Sequence, residues 1–444
     1  MKRSMATALG LAAAASLVLA GCGSSSGDGD DDATSPATAA ATEAQDPVTL
    51  SLAGWSLATT PEFQELADAF HAENPNITVE LKEYDAANYD TQMIADLAAG
   101  SAPDVYVLKN LKNFYTYQSG GQLVDVSDVS EGLGDEVSGL KAYEVDGATF
   151  GVPYRQDSWY LYYNKDLFDA AGVEYPDGSW TWDDYADAAE KLTPALAATG
   201  AKGTYQHSWQ STVQGFALAQ TKGASLLEDD FGYLEPYYDR ALKLQTDGAQ
   251  ESLGTVTTNK LTYQAQFGTQ KAAMMPMGSW YVATLIAQQA SGDAQKFAWG
   301  IAPAPQFDSS TTGTSKTPIT FGDPTGLGIN PAADDDTIAA AKKFLAFAAS
   351  EDGAKGLAGI GITPAYVSDA VSEAYFGVAG VPTDDLSKFA FSTHDTKPEN
   401  PVNKNTAAIQ NILNETHTGI LSGSTDVAGG ISSAESRVKS EVAP

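Results

Sequence analysis

The chain has 444 residues, of which 25 are Lys or Arg and 57 Asp or Glu, for a formal net charge of −32. Such an excess of acid argues against nucleic acid or an anionic lipid surface as the partner. The single cysteine excludes an intramolecular disulfide, and four histidines give little material for a metal centre, so no cofactor is expected. With 43% hydrophobic and 10% aromatic residues the chain can bury a large core, enough for two or three domains.

In chain order, Lys2 and Arg3 precede an apolar or small run over residues 5–20, which has the form of a signal peptide. The run is short of the ~20 apolar residues that a permanent membrane helix needs. It ends in Leu19-Ala20-Gly21-Cys22, which resembles the bacterial lipobox. That resemblance implies removal of residues 1–21, a diacylglyceryl group on Cys22, and a place on the outer face of a membrane. Residues 22–47 are Gly, Ser, Ala, Thr and Asp with almost no large apolar side chain, and read as a disordered linker.

The body then alternates. Strand patterns at 48–53, 77–81 and 103–108 flank helical patterns at 61–74 and 89–99, with Thr60 as the expected cap of the first helix. Strand, helix, strand, helix, strand implies a parallel sheet covered by helices, with ligand groups at the carboxyl ends of its strands. The residues there are Gly54-Trp55-Ser56, Tyr84 and Lys109-Asn110. A long aromatic run, 149–164, carries Arg155 and Asp157 and has the length of a strand linking two lobes. Helices are expected after Thr181 or Asp183, over 279–289 and 339–349, and in the tail over 406–417 and 432–442. Strands are expected over 271–277 and 297–302, with a second extended, glycine-punctuated segment at 319–330.

Several stretches, in this order, are similar to one known family: FHAENPNITVE (70–80), DLAAGSAPDVYVL (96–108), FGVPYRQDSWYLYYNKDLFDAAGV (150–173), WTWDDYADAAEKL (180–192), KAAMMPMGSW (271–280), WGIAPAP (299–305) and ITPA (362–365). They resemble the extracellular solute-binding proteins, family 1, the maltose-binding-protein-like lipoproteins that serve ABC sugar importers. The resemblance implies an α/β fold of two lobes, each a mostly parallel sheet flanked by helices, joined by a multi-segment hinge. The N-terminal lobe would comprise 48–154 and 322–375, the C-terminal lobe 155–321 and 376–444, with crossings near Tyr154, Phe321 and Phe376. It further implies a monomer that closes on a sugar and is recognised by membrane permease subunits, without enzymatic activity.

A pyranose presents C–H faces, which suit planar aromatics, and a rim of hydroxyls, which suits charged or amide groups. The aromatic candidates are Trp55, Tyr84, Trp209 and Trp280, and for each tryptophan core packing is the alternative. Arg155 and Asp157, two apart on one strand, point the same way and suit the rim, or else form an inter-lobe salt bridge. Asn110 and Asp323 stand at a strand end and in a hinge, and His207 either donates to a hydroxyl or makes a structural hydrogen bond. Where maltose-binding protein presents a Glu, this chain has Thr204-Tyr205, which argues against a maltose-like ligand. A glycoside hydrolase using Asp157 and Asp323 is the enzymatic rival, since hydrolysis needs two facing carboxylates. HExxH and Walker patterns are absent from the sequence.

Overall fold

Eleven strands carry the architecture: β1 (Val48–Trp55), β2 (Ile77–Tyr84), β3 (Val105–Leu108), β4 (Val152–Gln156), β5 (Trp159–Asn164), β6 (Lys202–Thr204), β7 (Ala272–Gly278), β8 (Trp299–Pro303), β9 (Ile319–Phe321), β10 (Pro324–Ile329) and β11 (Asp395–Lys397). They belong to a computed structural model that describes residues 46–442. The expected signal peptide, Cys22 and all but the last two residues of the 22–47 linker lie outside the described residues.

The first sheet has the order β2-β1-β3-β10-β4, with β1 parallel to β2 and β3, and β10 antiparallel to β3 and β4. The second has the order β8-β5-β7-β6, parallel only at β6–β7. Both sheets are therefore mixed. The opening βαβαβ unit is parallel, and the strands that return from the other half of the chain add antiparallel pairs. β5 and β7 are buried along their whole length because each has a strand on both sides and helices above and below. Pro276 is tolerated inside β7 because β6 pairs only as far as Met274 on that edge.

The helices form where the pattern placed them. Helix α1 (Glu62–Glu73) buries Phe63, Leu66, Ala67 and Phe70 on one stripe, and Glu62 and Glu65 face its positive end. Its cap is Pro61, without a side-chain bond, and not Thr60. The Thr60 N–H is drawn into a turn with Ser56 O at 2.8 Å, which takes the residue out of capping position. Helix α2 (Tyr89–Ala99) follows β2. Helix α3 (Trp182–Ala195) starts at Thr181 through a reciprocal box with Asp184. Helices α4 (Ser211–Gln220), α5 (Tyr281–Ser291), α6 (Asp335–Ala348) and α7 (Thr406–Leu421) complete those used below.

Buried residues separate into two cores. One gathers Leu50, Phe63, Phe70, Tyr106, Tyr154, Leu327, Phe344 and Ile362, and the other Tyr160, Tyr162, Trp182, Phe216, Phe321, Met274, Tyr281 and Leu413. The chain passes between them at Asp157-Ser158, from β4 to β5, and at Gly322-Asp323, from β9 to β10. On the approach to Phe376, where a third crossing is expected, residues of the two cores interleave. Ala365 belongs to the first core and Val371 to the second, and Tyr366 touches both. In the helix Glu351–Ala358, Ala354 and Ala358 already belong to the second core and Leu357 to the first, and further on Tyr375 stacks on Phe391 at 4.2 Å. Among the described residues no helix is long and apolar enough to cross a membrane.

Candidate functional site

The second core carries an aromatic platform at the end of β7. Trp280 caps α5, and its ring folds back over Gly278, where an added Cβ would meet the ring at 2.0 Å. The ring stands edge-on to buried Trp159 at 5.6 Å, and its Nε1 donates to Tyr263 Oη at 3.3 Å. Trp209 lies 5.6 Å from Tyr263 and 6.3 Å from Trp280, and His207 meets it edge-on at 4.5 Å. Trp209 is 41% exposed, which is unusual for so large a ring in a packed cluster. Tyr263, which the sequence reading did not single out, is thus the centre of the group.

His207 is neutral at ordinary pH, since burial lowers its pKa to about 4. Tyr205 Oη donates its one proton to Leu261 O at 2.8 Å. The 3.0 Å contact between Tyr205 Oη and His207 Nδ1 therefore has the imidazole as donor, and leaves Nε2 as an acceptor.

On the first core, Trp55 and Tyr84 pair across β1 and β2, and Tyr89 joins their rings at 5.1 and 5.6 Å. Trp55 is only 9% exposed and also packs edge-on against Phe63 at 5.2 Å. The Lys109 ammonium lies 5.2 Å from the Trp55 ring centroid while donating to Ala86 O. Tyr84 donates to Asp96 at 2.7 Å, and burial together with that carboxylate pushes its phenol well up. Asn110 accepts from the Lys112 N–H at 3.0 Å, and among the described residues its amide nitrogen has no acceptor.

Arg155, Asp157 and Asp323 are all buried at the crossings. Arg155 donates through Nη1 to Glu62 at 2.5 Å, through Nε to Asp157 Oδ2 at 3.0 Å, and through Nη2 to Thr325 at 3.3 Å. The other oxygen of Asp157 accepts from Ser279 Oγ at 2.9 Å. The two side chains do point the same way, as the alternation implies, and they bond each other. Asp323 accepts from the Leu111 N–H at 3.3 Å on the first-core side. From the tail it accepts from the N–H groups of Glu399 and Asn400 at 3.0 and 3.2 Å, and from Asn400 Nδ2 at 2.6 Å. Burial raises its pKa against these donors.

Two further ionisable groups gather here without a sequence signal. Lys112 donates to Asn411 of α7 at 2.8 Å, and burial lowers its pKa. Burial and the Asp323 charge push the Glu399 carboxyl up to about 8, although Ser211 donates to it. Their place depends on the tail folding back to the hinge, which no local spacing reveals.

The sequence model of bacterial extracellular solute-binding proteins matches residues 54–355, well over half of the chain. The chain belongs to this family. A sugar transporter from Rhizobium etli, solved in an open conformation, is 31% identical with a TM-score of 0.73 over 88% of this chain and 99% of that one. An ABC substrate-binding protein from Listeria monocytogenes, in complex with cycloalternan, shares the fold at 22% identity and a TM-score of 0.73, over 89% of this chain and 98% of its own. The sn-glycerol-3-phosphate-binding periplasmic protein of Escherichia coli (strain K12) is 32% identical over 165 residues, 34% of this chain and 36% of that protein. Family membership places the chain outside the cytoplasm and among substrate-binding proteins.

Proposed function

We propose that this solute-binding protein is the sugar receptor of an ABC importer, anchored through a lipid on Cys22, and that it captures its ligand between the Trp209–Tyr263–Trp280 platform and the wall at Trp55, Tyr84 and Asn110. The observation that carries the reading is the platform itself. A large indole stays open to solvent beside two more rings, as an apolar pyranose face requires, and the neutral His207 and the free amide of Asn110 offer an acceptor and a donor for hydroxyls. Burying one such ring against a ligand is worth ~1.5 to 3 kcal/mol. Two rings supply much of the ~8 kcal/mol of a micromolar complex, before association costs. The sugar-named relative in Rhizobium etli and the cycloalternan-bound one in Listeria monocytogenes support the ligand class.

Arg155, Asp157 and Asp323 then brace the hinge, and the protein performs no covalent chemistry. Ligand binds one wall, bridges to the other, and shifts the open–closed equilibrium by its differential affinity. The closed form is what permease subunits recognise.

Calorimetry of the chain without residues 1–22 tests this against mono- and oligosaccharides and sn-glycerol 3-phosphate. At least one sugar should bind and be recovered intact, and Trp280→Ala should weaken it by about 10- to 100-fold, the loss of one ring's ~1.5 to 3 kcal/mol. Flat traces for every sugar overturn the reading. Cys22→Ser should release the protein from the membrane at unchanged affinity.

A further inference from the structure

The buried hinge network has a wall tryptophan at each end. Ser279, which donates to Asp157 Oδ1, immediately precedes Trp280, and Glu62, which holds Arg155, immediately precedes Phe63, whose ring packs 5.2 Å from Trp55. A second strand of contacts runs in parallel: Thr325 Oγ1 lies 3.3 Å from Asp157 Oδ2 and 3.2 Å from the main-chain oxygen of Lys109, the residue whose ammonium covers Trp55. Tyr154 closes the group by donating to Glu62 at 3.1 Å.

We propose that Glu62, Arg155, Asp157 and Ser279 form a relay that couples the two ligand walls through the hinge, with Glu62 and Ser279 as its positioning residues. The inference rests on the proposed walls, but its mechanism is that of the apoprotein. One guanidinium is shared by two carboxylates, and Glu62, Arg155 and Asp157 expose 0%, 6% and 6% of their surface, so water cannot replace a lost partner. In such a place each hydrogen bond is strong and an unpaired polar atom is costly. Asp157 Oδ1 has Ser279 Oγ as its one hydrogen-bond donor among the described residues. Without it the carboxylate re-seats on Arg155, the guanidinium moves relative to Glu62, and the first turn of α1 carries Phe63 with it against Trp55. The reverse path starts at Glu62: a neutral side chain there releases Arg155 toward Asp157 and disturbs Ser279, and so Trp280. Close packing along both paths leaves no slack to absorb these shifts.

The test needs no ligand, so its failure is distinct from failure of the sugar assignment. The chain has seven tryptophans. In protein labelled with 5-fluorotryptophan, the fluorine resonances of Trp55 and Trp280 are assigned by Trp55→Phe and Trp280→Phe. Ser279→Ala should move both resonances, Glu62→Gln should also move both, and Ser279→Thr, which keeps the hydroxyl, should return both toward their original positions. Trp182 and Trp299, deep in the second core, report any general loosening and should hold still. A Trp55 resonance that stays put in Ser279→Ala, or a Ser279→Thr variant that restores neither resonance, overturns the relay.

Discussion

Gly322→Ala should break the hinge from the inside. A Cβ at this position would stand 2.0 Å from the carbonyl oxygen of Asp157 and 2.8 Å from its carbonyl carbon, both main-chain atoms that cannot swing away. The two crossing segments would have to part by about 1.4 Å to reach ordinary contact near 3.4 Å. Overpacking of this kind costs ~1 to 3 kcal/mol, and more when backbone must move. Displacing Asp157 also weakens a charged hydrogen bond to Ser279 or Arg155, worth ~1.5 to 3 kcal/mol. A total near 4 kcal/mol lowers the melting temperature by roughly 8 to 16 °C for units of about 200 residues. Urea and thermal unfolding of the chain without residues 1–22 measure it, with Gly377→Ala as the control. Gly377 ends a helix with nothing within 4 Å of an added Cβ, so that variant should be neutral or slightly more stable. A Gly322→Ala protein within ~0.5 kcal/mol of the parent would refute the close-crossing argument.

Stability should also fall with pH through Glu399. Its folded carboxyl, raised to about 8 by burial and by Asp323, keeps a proton that the unfolded chain has already released above the ordinary value of 4.5. The contribution is full below about pH 4.5, is lost as pH rises toward 8, and is flat beyond. Glu399→Gln should remove this dependence, so its urea midpoint should gain on the parent between pH 5 and 8 and run parallel above. Gly278→Ala should weaken sugar binding although Gly278 offers no side chain to a ligand, because the new methyl would displace the Trp280 ring that now lies 2.0 Å from its position. The readout is calorimetric affinity beside the melting temperature, and loss of affinity with the fold retained is the expected pattern.

Most of the framework was legible in the chain because it rests on local periodicity. The α1 stripe and the Thr181 cap follow from spacing that an isolated segment already contains. Thr60 shows the limit. A good capping residue before Pro61 lost to a turn closed on Ser56, a competition between two local hydrogen-bonding patterns that composition does not rank. The stretch between Ala354 and Tyr375 shows another, since which core a residue joins depends on partners such as Phe391 and not on its own pattern.

The charged residues of the hinge strand are where sequence reasoning stops for a physical reason. Alternation places Arg155 and Asp157 on one face, and it is silent on what else stands there. Glu62 arrives from 93 residues upstream of Arg155 and Ser279 from 122 residues downstream of Asp157, and together they occupy bonding positions that a ligand rim would otherwise use. Asp323 is likewise held by Leu111 on one side and Glu399 and Asn400 on the other. With these charges committed to the hinge, the walls we propose are left with aromatic rings, a neutral imidazole, an amide and a lysine whose ammonium is already bonded to Ala86. Such a surface has little with which to neutralise an ionic ligand. It is well matched to a neutral polyhydroxylated one, whose apolar faces supply the affinity and whose hydroxyls supply the orientation.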